Sequence, residues 1–526
     1  MNWILLQILV VCLKILRFVI DKLSDIIYYA IYESRASIKL PPIKNRILLL
    51  PATTIATKIR SRDLTSFEVC EAFIDRINSV NDVTNAVVDN RFDDALAQAQ
   101  SIDDAINDAI RFGTIEALAE CKPFLGVPFT TKDCFAVEGL SYTGGLLKRK
   151  KVKADFNADA VQALIRAGAI PLAVTNVSEL CMWMESYNKV YGRTNNPYHN
   201  GRIPGGSSGG EASNLAAAGS PFGIGSDVGG SIRMPAFFNG IFGHKPSTGL
   251  VSNKGQIPGA IGIIDTFLST GPMSRYASDL LPMFKVMLKP SSQNLNLKLD
   301  EPINLRKIKL YYMKDDGGNP IVSPVNGELI DVQTKVVRKW KECHQGHPEA
   351  LSLSKMKYST LMWSNKMSSE PNAPSFAAEL TNLDGTEIRP LFELLKWPIR
   401  QTNHTLPAIG LALFEKMLAP DQKFIRMADQ LSEELDHVLG DNGVLLYPSH
   451  STPAPYHGQP IIKTFNFSYT AIFNVLGNPV TQVPLGLGSW GVPLGIQVVA
   501  GRNQDRNCLA VASELERLFG GWVAPS

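Results

Sequence analysis

The sequence predicts an α/β protein, and three observations carry that expectation. From Pro51 onward, apolar residues alternate between helical and strand spacing; short apolar runs bounded by turn residues follow helices in the first half; strand-like runs return near the C-terminus. With 45% hydrophobic and 19% charged residues in 526, the chain can bury a large core and is no disordered polymer.

Residues 1–33 read as an N-terminal membrane-associating helix. The run NWILLQILVVCL is almost wholly apolar and continues through ILRFVI to IIYYAIY, with Lys14, Arg17, Asp21, Lys22 and Asp25 interspersed at helical spacing, most of them on one stripe. The clean run falls short of the roughly 20 apolar residues that a span needs. An interfacial anchor therefore competes with a tilted span carrying snorkelled Lys14 and Arg17, and with a helix packed on the body. A cleaved secretory signal fits poorly, because the cations follow the apolar run instead of preceding it.

Residues 34–526 read as the catalytic domain. Thr65-Ser66-Phe67-Glu68 has capping-box spacing before a helix with Val69, Phe73 and Ile77 on one face, and an Ala/Asp-rich helix follows Arg91. PFLGVPFTTKD reads as a buried strand entering a loop, ADAVQALIRAGA as a helix closed by Gly168, and IPLAVTN as a strand. A further helix begins after Gly210, and GVLLYPS and PLGIQVVAG read as late strands of the same core. Beyond about Pro290 the helices lengthen and glycine thins, which fits either an extension of one fold or a second lobe.

Composition also excludes partners. Lys plus Arg number 52 against 49 Asp plus Glu, a net charge of +3 that offers no broad field for a nucleic-acid backbone. The seven cysteines are scattered without a C-x-x-C pair, and the eight histidines show no metal-ligand spacing, so neither a disulfide framework, a metal nor another cofactor is expected.

The chemistry concentrates in residues 202–247, RIPGGSSGGEASNLAAAGSPFGIGSDVGGSIRMPAFFNGIFGHKPS. Ser207 and Ser208 sit among four glycines, and Ser231 follows Gly229 and Gly230. A flexible linker would not run straight into an alanine-rich helix, and a phosphate loop would end in G-K-[ST]. Glycines around a serine let backbone amides converge on a developing oxyanion. The hydroxyl also needs a base; His244 reads as structural, which leaves Lys132 in Thr130-Thr131-Lys132-Asp133, at the end of a buried strand, as the other candidate.

The glycine block, with GSDVGGSIRMPA and the later G.KPS, resembles the amidase signature family of Ser, cis-Ser, Lys hydrolases. TNVSELCMWMESYNKVYGRTNNPY, LYPSHSTPAP and PLGIQVVAG, together with the apolar start, resemble the fatty-acid amide hydrolases of that family. The resemblance implies a central mixed twisted sheet flanked by helices. It implies that Ser231 is the nucleophile, Ser207 the cis-serine relaying its proton and Lys132 the base. It further implies oxyanion amides from Val228, Gly229, Gly230 and Ser231, a supporting hydroxyl from Ser208, and a loop braced by Asp227 and Arg233. An ordinary lysine is an ammonium at neutral pH, so the role expected of Lys132 requires burial to disfavour its charge.

Within that resemblance, Met182 and Met184 belong either to the core or to an acyl channel. The substrates it implies are N-acyl ethanolamides or primary fatty amides, drawn from a membrane that the N-terminal segment contacts. Cations after the apolar run put the body on the cytosolic side, with the endoplasmic reticulum or a lipid droplet as candidate sites. A homodimer is left open. The rival readings are a soluble general amidase, a glutamine-dependent amidotransferase subunit, and a catalytically silent lipid-binding scaffold.

Overall fold

The computed structural model describes residues 3–293, 295–417 and 419–525; Met1 and Asn2 of the expected anchor segment lie outside the described residues. Its strands are β1 (Val87–Asn90), β2 (Pro128–Lys132), β3 (Ile170–Thr175), β4 (Tyr187–Asn188), β5 (Gly192–Arg193), β6 (Phe222–Asp227), β7 (Phe242–Lys245), β8 (Ser269–Ser274), β9 (Lys309–Tyr312), β10 (Glu349–Ala350), β11 (Gly443–Tyr447), β12 (Val480–Leu487) and β13 (Pro493–Ala500). Eleven of them form one sheet in the order β1-β3-β2-β6-β8-β7-β12-β13-β11-β9-β10, and β4 and β5 pair separately. The sheet is mixed: β3-β2-β6 and β11-β9-β10 run parallel within their groups, and the joins between them are antiparallel.

Local sequence explains the parts that carry the site. Strands β2, β3 and β6 lack alternation because every residue in them is buried, as a parallel centre covered on both faces requires. The helix Ser66–Thr84 opens on the expected capping box: Glu68 N donates to Thr65 Oγ1 at 3.0 Å and Thr65 N donates to Glu68 Oε2 at 2.9 Å. Val69, Phe73 and Ile77 are buried on its inner face, where the spacing puts them. The region after Pro290 contributes β9 and β10 to the β11 edge, so it extends the one sheet and builds no second one.

The N-terminal helix Trp3–Tyr32 turns its polar stripe inward. Asp21 and Ser24 are buried, Arg17 and Tyr28 half-buried, while Ile15, Leu23, Ile26 and Ile27 face outward. Tyr32 stacks on Tyr456 and sits edge-on to His457. At the helix end, Glu33 accepts from Tyr456 Oη at 2.7 Å. No helix among the described residues is long and apolar enough to cross a membrane.

Thr65→Ala is expected to lower the unfolding free energy by about 1 kcal/mol, since Glu68 N loses its side-chain acceptor while the backbone bond to Glu68 Oε2 remains. Denaturant unfolding with an unchanged m-value is the check.

Candidate active site

The site forms at the carboxyl ends of the parallel strands, where ligand crevices of open α/β sheets lie. Lys132 ends β2, and the register of β2 with β6 (Thr130 beside Gly223, Thr131 beside Ile224) sets its side chain next to Ser226 at the end of β6. Lys132 is fully buried, with Nζ donating to Ser226 Oγ at 2.7 Å and to Ser207 Oγ at 2.9 Å. Among the described residues no carboxylate lies within ion-pair distance of that nitrogen. The nearby Glu211 accepts instead from Thr130 Oγ1 at 2.6 Å and Thr175 Oγ1 at 2.9 Å, and burial pushes its carboxyl up to about 7.

Ser207 precedes the helix Gly209–Ala216, and its peptide bond to Gly206 is cis. Ser186 Oγ donates to both Gly205 O and Ser207 O at 3.1 Å, pinning this turn from outside. Ser208 donates its N–H to Ser231 O at 3.2 Å and its hydroxyl to Ser226 O at 3.4 Å, which ties the two serine segments together by backbone. The Ser207 and Ser231 hydroxyls both line one cavity. No hydrogen bond joins them directly in this structure, so the second link of the expected relay requires a turn of one hydroxyl.

Asp227 and Arg233 organise the glycine loop without facing the cavities. Asp227 accepts from Gly230 N at 2.7 Å, Ile232 N at 3.0 Å and Asn474 Nδ2 at 2.9 Å, and it pairs with Arg233 with both side chains wholly buried. Burial alone would raise the Asp227 carboxyl, but the Arg233 charge and these bonds hold it well below the usual carboxylate range. The Gly230 amide is thereby spent on Asp227. It departs from the expected oxyanion set, leaving Val228, Gly229 and Ser231 as the loop amides with no protein acceptor among the described residues.

Two cavities meet at Ser231. The first, about 460 Å³, is walled by Met182, Trp183, Met184, Met234, Leu411, Phe414, Phe465 and Phe467; both methionines left open by the sequence lie on it. The second, about 560 Å³, contains Ser207, Ser226 and Gln256 and carries the charged groups Glu370, Glu379, Glu387, Glu415 and Lys416 in a wall otherwise largely apolar, with Ile257, Ile261, Leu268 and Phe376. Cys181, Met182, Val228 and Trp363 border both.

Sequence reasoning missed four residues here. Ser226, the second partner of Lys132, sits inside the quoted GSDVGGS block and was open to discovery by its nearness to Ser231. Trp363 Nε1 donates to Val228 O at 2.9 Å, Thr470 Oγ1 donates to Gly229 O at 2.7 Å, and Asn474 Nδ2 donates to Asp227 O at 2.8 Å. These three arrive from more than a hundred residues away with no local motif. His244 proves structural, as read: it is fully buried on β7 between Thr481 Oγ1 at 2.9 Å and Asp505 Oδ1 at 3.2 Å.

A family model described as Amidase matches residues 68–509. Fatty-acid amide hydrolase 2-A of Danio rerio is 48% identical over 492 residues, covering 93% of this chain and 92% of that protein. Fatty-acid amide hydrolase 2 of Homo sapiens is likewise 48% identical over 492 residues, covering 92% of each. A solved structure titled fatty acid amide hydrolase superposes with a TM-score of 0.71 at 21% identity, over 93% of this chain and 88% of that one, which speaks to the fold.

Gly230 has φ +126° and a Cβ there would stand 2.1 Å from Thr470 Oγ1, so Gly230→Ala is expected to displace the adjoining Gly229 and Ser231 amides and lower turnover by about 10² or more while circular dichroism stays native. Asp227→Asn leaves Arg233 buried without its counter-charge and should cost about 3–5 kcal/mol near neutral pH. Because the folded-state carboxyl is depressed, that stability is full above the ordinary aspartate value of about 3.9 and is lost as pH falls through the folded value. In denaturant unfolding across that acid range, the gap between wild type and Asp227→Asn should narrow.

Proposed function

The chain belongs to the amidase family and is an amide-hydrolysing enzyme, and from that premise we propose that it cleaves fatty-acid amides, N-acyl ethanolamides or primary fatty amides, to free fatty acid and amine. The observation that carries this reading is the position of Ser231, at the junction of an almost wholly apolar cavity and a second one of mixed lining that holds the charged groups. An acyl chain in the first cavity presents its carbonyl at Ser231 and leaves its amine in the second. A glutamine side chain is short and polar and would leave the apolar cavity unfilled.

The chemistry follows from the groups around that junction. Ser231 Oγ attacks the carbonyl carbon; its proton passes to Ser207, whose own proton goes to Lys132 Nζ. The carbonyl oxygen becomes an oxyanion facing the free loop amides, each worth about 10² to 10³ in rate at such sites. Lys132 returns the proton through Ser207 to the leaving nitrogen, the C–N bond breaks, and the acyl group stays on Ser231. Water, deprotonated by the same relay, then cleaves the ester. Two hydroxyls hold Lys132 where a carboxylate would have fixed an ammonium, which supports the base assignment.

Membrane association belongs to the same reading. The outward face of the N-terminal helix is apolar, and the helix Pro390–Lys396 exposes Leu391 at 65% and Leu395 at 75%. The adjoining helix Leu406–Met417 exposes Met417 while contributing Leu406, Leu411 and Phe414 to the first cavity. Exposed apolar side chains on these helices, of which Leu406–Met417 also contributes to the apolar cavity, suit docking on a bilayer face, with the N-terminal helix lying in the interface.

Ser231→Ala is expected to abolish both turnover and fluorophosphonate labelling; labelling retained in that variant would reassign the nucleophile. Lys132→Ala is expected to shift the rate profile to higher pH, where hydroxide replaces the missing base. Across a series from acetyl to oleoyl amides, kcat/KM should rise with chain length. A preference for acetamides would overturn the lipid reading.

A further inference from the structure

The inward stripe of the N-terminal helix grips the segment that forms one wall of the first cavity. Gln459 Nε2 donates to Asp25 Oδ1 at 2.7 Å and to Ser24 Oγ at 3.2 Å, and Lys463 Nζ reaches the same Asp25 oxygen at 2.5 Å. Arg17 Nη1 donates to Ile462 O at 3.0 Å. Both Gln459 and Lys463 are buried, and Asp25 is the ion-pair partner of Lys463. Between and just beyond these anchors, Ile461, Thr464, Phe465 and Phe467 line the cavity. The same stretch runs straight into the helix Ser468–Leu476, whose Thr470 and Asn474 hold the glycine loop.

We infer that Asp25 is a positioning residue for acyl binding, acting through Gln459 and Lys463 to fix the cavity wall; this rests on the reading of the first cavity as the acyl site. The physical reason is the Lys463 ammonium, whose side chain is only 4% exposed. Without Asp25 it has no counter-charge and must turn toward water, drawing the segment 459–467 with it. The wall that grips a long chain is the segment 459–467 itself, whereas Thr470 and Asn474, which hold the glycine loop, lie beyond it on the helix Ser468–Leu476 and keep their own bonds to Gly229 and Asp227. The helix that offers its apolar face outward thus also shapes the substrate site through its polar face.

The test is a split between substrates in the full-length enzyme. Asp25→Ala should raise KM for a decanoyl anilide roughly three- to tenfold, the size of one net hydrogen bond lost through an indirect effect on the wall, with kcat nearly unchanged. Acetyl anilide kcat/KM should stay within about twofold, and Asp25→Glu should restore the decanoyl KM. Ile26→Ser, on the outward face, should weaken vesicle flotation and leave the decanoyl KM alone. If Asp25→Ala fails to fold, Asp25→Asn leaves the Lys463 ammonium without its counter-charge at nearly unchanged volume and carries the same readout. A decanoyl KM unchanged in these variants, or decanoyl and acetyl substrates losing equally, overturns the positioning role. Wild-type enzyme with no preference for decanoyl over acetyl would instead overturn the acyl-site reading beneath it.

Discussion

One amine, wholly enclosed and held by two hydroxyls, governs the architecture around it. A lysine placed at the end of a central parallel strand has no route to water, and a carboxylate within reach would lock it as an ion pair. The fold supplies Ser207 and Ser226 instead. It assigns the neighbouring acid, Glu211, to Thr130 and Thr175, and the loop acid, Asp227, to Arg233. Each of these two buried carboxyls near Ser231 therefore has partners other than Lys132. The glycine loop inherits its shape from that division, because Asp227 can bind the Gly230 and Ile232 amides only while Arg233 balances it.

The second organising constraint is the inverted amphipathicity of the N-terminal helix. A surface helix ordinarily buries its apolar stripe, yet here Asp21, Ser24 and Tyr28 face the body and the aliphatic residues face out. Such an arrangement leaves a large apolar area in water unless another surface covers it. The exposed leucines of Pro390–Lys396 likewise lie beside the helix Leu406–Met417, which contributes Leu406, Leu411 and Phe414 to the cavity wall.

Much of this was legible in the residues. Strand β2 with its terminal Lys132, the capped helix from Ser66 and the two serine turns are written locally, as unbroken apolar runs, a capping box and glycine clusters. The polar stripe at Arg17, Asp21 and Asp25 was also visible, but its direction was not, because helical spacing says which residues share a face and not what that face meets. Trp363, Thr470 and Asn474 were hidden for a similar reason: each is an ordinary residue whose role exists only through a contact made across the fold. The Gly230 amide shows the converse error, a residue rightly placed in the loop whose N–H is taken by a neighbouring carboxylate.

The account turns on Ser207 as the link between Lys132 and Ser231, and the second-order rate constant for fluorophosphonate labelling of Ser207→Ala tests it most directly. With the relay broken, labelling at neutral pH should fall by about 10² to 10⁴, the range of a lost proton-transfer partner, while thermal unfolding stays near wild type. Labelling at the wild-type rate across the pH range would contradict it, since Ser231 would then lose its proton by another path.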